Sequence, residues 1–157
     1  MNVSQIFETM DYGKALEASD EAMKWIASCE GKFGHFINGT FTKKEGLFPS
    51  INPATMHELA QISQASAKTV SSAVKAAREA QPAWASLGGH GRAKILYAIA
   101  RLLQKQSRLF ATLETLDNGK PIRESRDIDI PLAQRHFYYH AGMAQLMEKS
   151  LSNRKPL

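Results

Sequence analysis

The stretch Leu113-Glu-Thr-Leu-Asp-Asn-Gly-Lys-Pro121, followed by Tyr138-Tyr-His-Ala-Gly142, decides how this chain is read. Leu113 and Leu116 close the apolar face of a helix. Gly119 suits the left-handed position that ends such a helix, and Pro121 cannot continue it but can open the next. Upstream, Leu109 belongs to the same face, and Ile95, Ala98, Ile99, Leu102 and Leu103 predict another helix that begins after Gly91. Val70, Ala73, Val74, Ala77 and Ala80 predict a third, from Ser66 to just before Pro82. Downstream, a long helix over about residues 129–147 would turn Leu132, Ala133, Phe137, Ala141, Ala144 and Met147 inward, with Pro131 in its first turn.

The first half reads differently. Ile6, Phe7 and Met10 suit one side of a short helix over residues 4–10. Asp20 is a suitable N-cap for a second, which carries Met23, Trp25 and Ile26 and stops at Gly31. Asn38-Gly39, flanked by Phe36 and Phe41, predicts a tight hairpin over residues 34–42, because both central positions of that turn want positive φ. A second extended pair is expected over residues 47–53 and 58–64. Two small hairpins followed by helices do not make the alternation that a self-contained α/β sheet needs.

Bulk composition narrows the class. The 157 residues suffice for one ordinary core that buries about two thirds of the unfolded surface. With 43% hydrophobic and 22% charged residues, the chain is globular in type. No apolar run reaches the roughly 20 residues that span a membrane. Met1 to Glu8 lack a signal-peptide pattern, and the single cysteine, Cys29, allows no internal disulfide. A reducing, cytoplasmic location is the expectation. The net charge of +5 raises nucleic-acid binding. Lys94, Arg101, Lys105 and Arg108 instead lie on polar helix sides without interleaved stacking aromatics, which argues against it.

Taken together, the segments closely resemble the N-terminal region of aldehyde dehydrogenases. That family carries a Leu-Glu-Thr-Leu-Asp-x-Gly-Lys-Pro run ahead of a Tyr-Tyr-x-Ala-Gly helix. The likeness covers residues 34–150: Phe36-Ile-Asn-Gly39, Phe48-Pro-Ser-Ile-Asn-Pro-Ala-Thr55, Val74-Lys-Ala-Ala-Arg-Glu-Ala80, Trp84, Arg92-Ala93 and the opening stretch follow in the family's order. The leader, with Ile6-Phe7, Tyr12-Gly13 and Trp25, is similar to that of the sixteenth aldehyde dehydrogenase family, some members of which lack the nucleophilic cysteine.

The resemblance implies an incomplete α/β fold, the N-terminal part of the Rossmann-like dinucleotide-binding domain, mainly helices with two small β-hairpins. It divides the chain into a helical leader (1–33), a dehydrogenase portion (34–150) and the start of a following segment (151–157). It implies NAD or NADP as cofactor of the intact protein, the remainder of the fold as partner, and a homo-oligomer. Such enzymes attack an aldehyde with a cysteine thiolate, pass hydride to the dinucleotide and hydrolyse the thioester to an acid. In the family, the cysteine, the oxyanion asparagine, the general base and the dinucleotide-holding residues all follow the Tyr-Tyr-x-Ala-Gly helix. No catalytic or cofactor residue is therefore assigned here, and this chain alone is expected to be inactive. A short form or inactive relative acting as an interaction scaffold is the alternative. The resemblance also implies a structural monovalent cation held by Asp117 and main-chain oxygens of Ser50 and Ile51. Oxygen donors suit a hard cation, while the other reading of Asp117 is that it only shapes the helix end.

Other conspicuous residues read more plainly. Cys29 is expected near a helix C-terminus beside Glu30, where a thiolate is disfavoured. His136 and His140 are one turn apart, but two ligands do not make a metal site. Gly88-Gly89-His-Gly91 lacks the Lys-Ser/Thr ending of a phosphate loop and reads as a flexible helix connection. Asn2-Val-Ser4 and Asn38-Gly-Thr40 fit the glycosylation sequon without a secretory signal.

Overall fold

The computed structural model describes residues 2–5, 15 and 17–151. Among these, α1 (Asp20–Ser28) precedes five short strands: β1 (Lys32–Phe33), β2 (Phe36–Ile37), β3 (Thr40–Phe41), β4 (Leu47–Ile51) and β5 (Glu58–Ser63). Helices α2 (Ala67–Ser86), α3 (Gly88–Lys105), α4 (Ser107–Asn118), α5 (Ile122–Glu124) and α6 (Ile130–Leu151) follow, with a π-helical turn (Ser125–Asp129) between the last two. Residues 3–5 form a helical turn, whose start Asn2 and Gln5 cap reciprocally. The remainder of the predicted 4–10 helix, with Ile6, Phe7 and Met10, lies outside the described residues, as do Tyr12 and Gly13.

The hairpin forms as expected. Asn38 (φ 52°) and Gly39 (φ 78°) make the turn, and Phe36 faces Phe41 across it with ring centroids 5.0 Å apart. The second pair also forms, but as part of a mixed three-stranded sheet in the order β1-β5-β4. Strand β1, which pairs parallel to β5, is an addition to the expected set: with only two residues it carries no legible alternation. Pro49 is tolerated because β4 is an edge strand.

Helix α1 begins one residue earlier than expected, with Ser19 as N-cap and Asp20 in the first turn, where its charge suits the dipole. It buries Ala22 and Ile26, whereas Met23 and Trp25 remain exposed, Trp25 stacking on Phe33 at 5.5 Å. Helix α2 is capped by the Ser66 hydroxyl, which accepts from the Thr69 N–H. It does not end before Pro82 but runs through it to Ser86. The neighbouring alanines at 76, 77, 80, 83 and 85 are the strongest helix formers and offset the missing hydrogen bond.

The buried face of α3 differs from the one its aliphatic spacing predicts. Helix α3 starts at Gly88, so the expected flexible glycine connection is instead its first turn. The side packed on α6 carries Gly89 and Ala93, which meet Ala141 and Ala144, with Leu96 and Tyr97 covering the contact, and Ala100 is buried further along the helix. Small residues allow this approach: a Cβ on Gly89 would lie 2.2 Å from the Ala144 carbonyl oxygen. Ile95, Ile99 and Leu102 lie on an adjoining stripe and are 42%, 36% and 58% exposed. Val70 and Val74 of α2 are uncovered as well.

Helix α4 ends as read from the sequence, with Gly119 left-handed at φ 80° and its N–H donating to the Thr115 carbonyl at 3.0 Å. The last helix, α6, starts at Ile130, within a residue of expectation, with Pro131 in its first turn as expected. The wider turn over Ser125–Asp129 immediately precedes Pro131 and relieves the clash a proline makes with the preceding turn. Ser125 is fully buried there and accepts from the Thr115 hydroxyl at 3.1 Å. Leu132 and Met147, expected inward, are exposed.

Replacing Gly89 with Ala should lower stability by about 1–3 kcal/mol, because the helices must separate to admit the methyl group. Urea unfolding of the purified variant checks this, and an unchanged midpoint would mean that α3 and α6 do not pack this closely.

Candidate functional site

The features singled out around Asp117 converge at one place. Asp117 occupies the last turn of α4, and Ser50 lies on β4 at the point where the pairing with β5 shifts register. Although 67 residues apart, the Ser50 hydroxyl donates directly to Asp117 Oδ1. The following loop holds this geometry. Buried Asn52 accepts through Oδ1 from the Ala54 N–H at 2.9 Å, and its own N–H donates to the His57 carbonyl at 2.9 Å. Pro53 then packs on Gly119, where a Cβ would come within 2.7 Å of the proline ring. Gly119 is thus required both by its positive φ and by lack of space.

Charges around the site are arranged pairwise. Lys120 Nζ lies 2.7 Å from Asp129 Oδ2 and 3.6 Å from Glu114 Oε1. Asn118 donates to Glu114 at 2.6 Å and accepts from the Lys120 N–H at 2.9 Å. Among the described residues no ion pair reaches Asp117, so its carboxylate meets Ser50 alone. Asp117 and Ser50, with Glu114, rim a cleft of about 350 Å³ whose walls are Trp25, Ile26, Phe33, Phe110, Leu113 and Leu116. Ile51 is exposed beside it.

Sequence reasoning anticipates Asp117 and the Ser50 strand. It assigns Ser50 only through its main chain and misses the hydroxyl contact. It also misses Glu114, Asn118, Lys120 and Asp129. The four-residue spacing of Glu114 and Asn118 is a usable signal, whereas the Lys120–Asp129 pair depends on how the chain returns after Gly119.

The remaining candidates stay apart. Cys29 is half-buried just past α1, with Sγ 4.0 Å from the Ser28 hydroxyl. His136 and His140 stack on the exposed side of α6 with ring centroids 6.4 Å apart. Among the described residues no group of three His, Cys, Asp or Glu is placed to hold a metal. No described helix is long and apolar enough to cross a membrane.

These elements are those of the N-terminal portion of a Rossmann-like α/β domain. The chain belongs to the aldehyde dehydrogenase family, whose sequence profile matches residues 41–156. Similar solved structures include HpcC of Thermus thermophilus, 30% identical with a TM-score of 0.76, covering 87% of this chain and 27% of that one. An aldehyde dehydrogenase of Bacillus cereus in complex with NAD+ is 35% identical, TM-score 0.71, covering 76% of this chain and 25% of that one. PnpE of a Pseudomonas species is 34% identical, TM-score 0.68, covering 71% and 23% respectively. The chain therefore spans about a quarter of the length of these structures.

Several exposed pairs set a pH window for stability. The hydrogen bond from Arg126, reinforced by its charge, holds the Asp127 carboxyl below its usual range, and Lys44 does the same for Glu30. The hydrogen bond to Asp129, with the nearby carboxylate charges, raises Lys120. A lowered carboxylate contributes stability above its unfolded value near about 4, lost as pH falls through the folded value. A raised lysine contributes below about 10.4, and the contribution is lost as pH rises through the folded value. The melting temperature should therefore be flat through neutrality and fall at both extremes. Asp127→Asn should flatten only the acid limb and Lys120→Met only the alkaline one, each slightly because the groups are exposed. Thermal scans across pH check this.

Proposed function

We propose that this chain forms the N-terminal helical flank of the dinucleotide-binding domain in an NAD(P)-dependent aldehyde dehydrogenase, which oxidises aldehydes to carboxylic acids when the catalytic and dinucleotide-holding segments are joined to it. The observation that carries this reading is the uncovered stripe Ile95, Ile99 and Leu102 on α3, accompanied by Val70 and Val74 on α2. A helix buries one such stripe against a sheet, and α3 already spends its small-residue side on α6. The rest of the dehydrogenase fold is the partner with the matching chemistry. Homo-oligomerisation and a cytoplasmic location belong to the same reading.

The glycine run of this chain does not fit a dinucleotide phosphate. The Gly88–Gly91 run follows a helix, and Gly89 is pressed against the Ala144 carbonyl, which leaves no cradle for a phosphate. No step of hydride transfer is assigned to these residues. The same reading gives Asp117, with main-chain oxygens of Ser50 and Ile51, a monovalent structural cation; what supports it is a carboxylate without a cationic partner among the described residues beside the Ser50 hydroxyl. Its role would be to tie the end of α4 to β4.

Two measurements test the reading. Calorimetric titration of the purified chain with NAD and NADP, beside an aldehyde assay, should give neither micromolar binding nor turnover. Turnover abolished by Cys29→Ala would place the chemistry in this chain and overturn the proposal. For the cation, sodium and potassium titrations should raise the melting temperature of the wild type, and Asp117→Ala should remove that response while costing about 0.5–1.5 kcal/mol for the lost hydrogen bond. A wild-type melting temperature independent of either ion would leave Asp117 as a helix-end residue only.

A further inference from the structure

The sequence contains Asn-Gly twice, and the fold treats the two copies in opposite ways. At Asn118-Gly119 every group needed for reaction is held. The side-chain amide donates to Glu114 at 2.6 Å, its oxygen accepts from the Lys120 N–H at 2.9 Å, and the Gly119 N–H donates to the Thr115 carbonyl at 3.0 Å. Gly119 is also packed against Pro53. At Asn38-Gly39 none of these restraints is present among the described residues. Asn38 is exposed at the tip of the hairpin, and nothing lies within 4 Å of a Cβ built on Gly39. The turn borders an open groove of about 360 Å³ beside Ala73, Ala76, Ala77 and Ala80 of α2, which leaves it room to open. Two residue pairs, Phe36–Phe41 and Ile37–Thr40, form the ladder, and below them the Thr42 N–H donates to the His35 carbonyl at 2.8 Å and the His35 N–H to the Thr42 hydroxyl at 3.0 Å; a ribbon of two-residue strands opens at its tip at little cost.

We propose that Asn38 is a site of spontaneous deamidation to isoaspartate, while Asn118 is protected by its fold. In the opened turn the Gly39 main-chain nitrogen loses its proton and attacks Cγ of Asn38. The N–Cγ bond forms, the Cγ–Nδ2 bond breaks, and the side-chain nitrogen leaves as ammonia with that proton. The resulting succinimide is opened by water. Attack at Cγ yields aspartate on an unchanged backbone. Attack at the main-chain carbonyl yields isoaspartate, in which the backbone passes through Cβ and Cγ and gains one methylene. Water is the only co-reactant and no oxidation occurs. The two products differ in consequence. Asp-Gly still forms a tight hairpin turn, whereas the lengthened backbone cannot keep positive φ at two successive central residues and releases Phe36 from Phe41. Gly39 thereby makes the turn possible and also exposes it to this chemistry, since a bulkier following residue would shield the attacking nitrogen.

The test incubates the purified chain at neutral pH, folded and in denaturant, and follows both Asn-Gly peptides by mass spectrometry, with isoaspartyl-specific carboxyl methylation identifying the rearranged product. In the folded chain Asn38 should convert about tenfold faster than Asn118 or more, and in denaturant the two rates should come within about threefold, once local opening no longer limits either. Asn38→Gln, whose longer side chain disfavours the ring closure, should abolish the signal from the hairpin peptide. Equal rates at the two sites in the folded chain would overturn the proposal. So would an Asn38 that stays intact over the period in which the denatured chain converts.

Discussion

The Ala144 carbonyl oxygen occupies the space that any side chain at position 89 would need, and much of the arrangement follows from that contact. Two helices approach this closely only when both present hydrogen or methyl groups, which selects Gly89 and Ala93 on α3 and Ala141 and Ala144 on α6. Once the small-residue side is committed, with Leu96 and Tyr97 flanking it, the remaining aliphatic stripe of α3 does not face α6. Ile95, Ile99 and Leu102 are turned outward as a direct result. A chain in water does not gain by displaying such a stripe, so the same contact that builds the helical layer also sets which apolar side of it is left uncovered.

Gly119 exercises a comparable control at the other end of the layer. Its left-handed conformation stops α4 at Asn118 and sends the chain back through Lys120 to Asp129. Pro53 fits against it because it has no side chain, and this brings β4 alongside the helix end, where Ser50 meets Asp117. The polar groups here are mutually satisfied in short links: Glu114 with Asn118 and Lys120, and Lys120 with Asp129. Asp117 stands outside that set and accepts instead from the Ser50 hydroxyl of β4.

The same dipeptide behaves differently in the two places where it occurs. In the hairpin, Asn-Gly is favoured because both residues accept positive φ, and the structure asks nothing else of them. At the end of α4 it serves as a stop, and both its side-chain amide and its main-chain N–H are consumed in ending the helix. Local sequence is identical; reactivity and restraint are properties of the surroundings.

What the sequence determined by itself was local. Positive φ is available to so few residue types that Asn38-Gly39 and Gly119 are legible as turn and helix stop from the sequence alone. The aliphatic spacing of α3 and α4 is legible for a similar reason, since a 3.6-residue period is the mark of a helix with one apolar face. The family resemblance added the order of these elements and drew Asp117 toward Ser50. Tertiary structure decided the rest. Which stripe of α3 is buried depended on what α6 offered, because alanine and glycine carry little hydrophobic signal and yet permit the closest packing. Strand β1 exists because β5 has a free edge, α2 continues through Pro82 because its neighbours hold the helix, and a π turn over Ser125–Asp129 leads into α6. The hydroxyl of Ser50 reached Asp117 across 67 residues, and a pairing that distant is set by how the elements pack, a matter on which neither residue's local sequence bears.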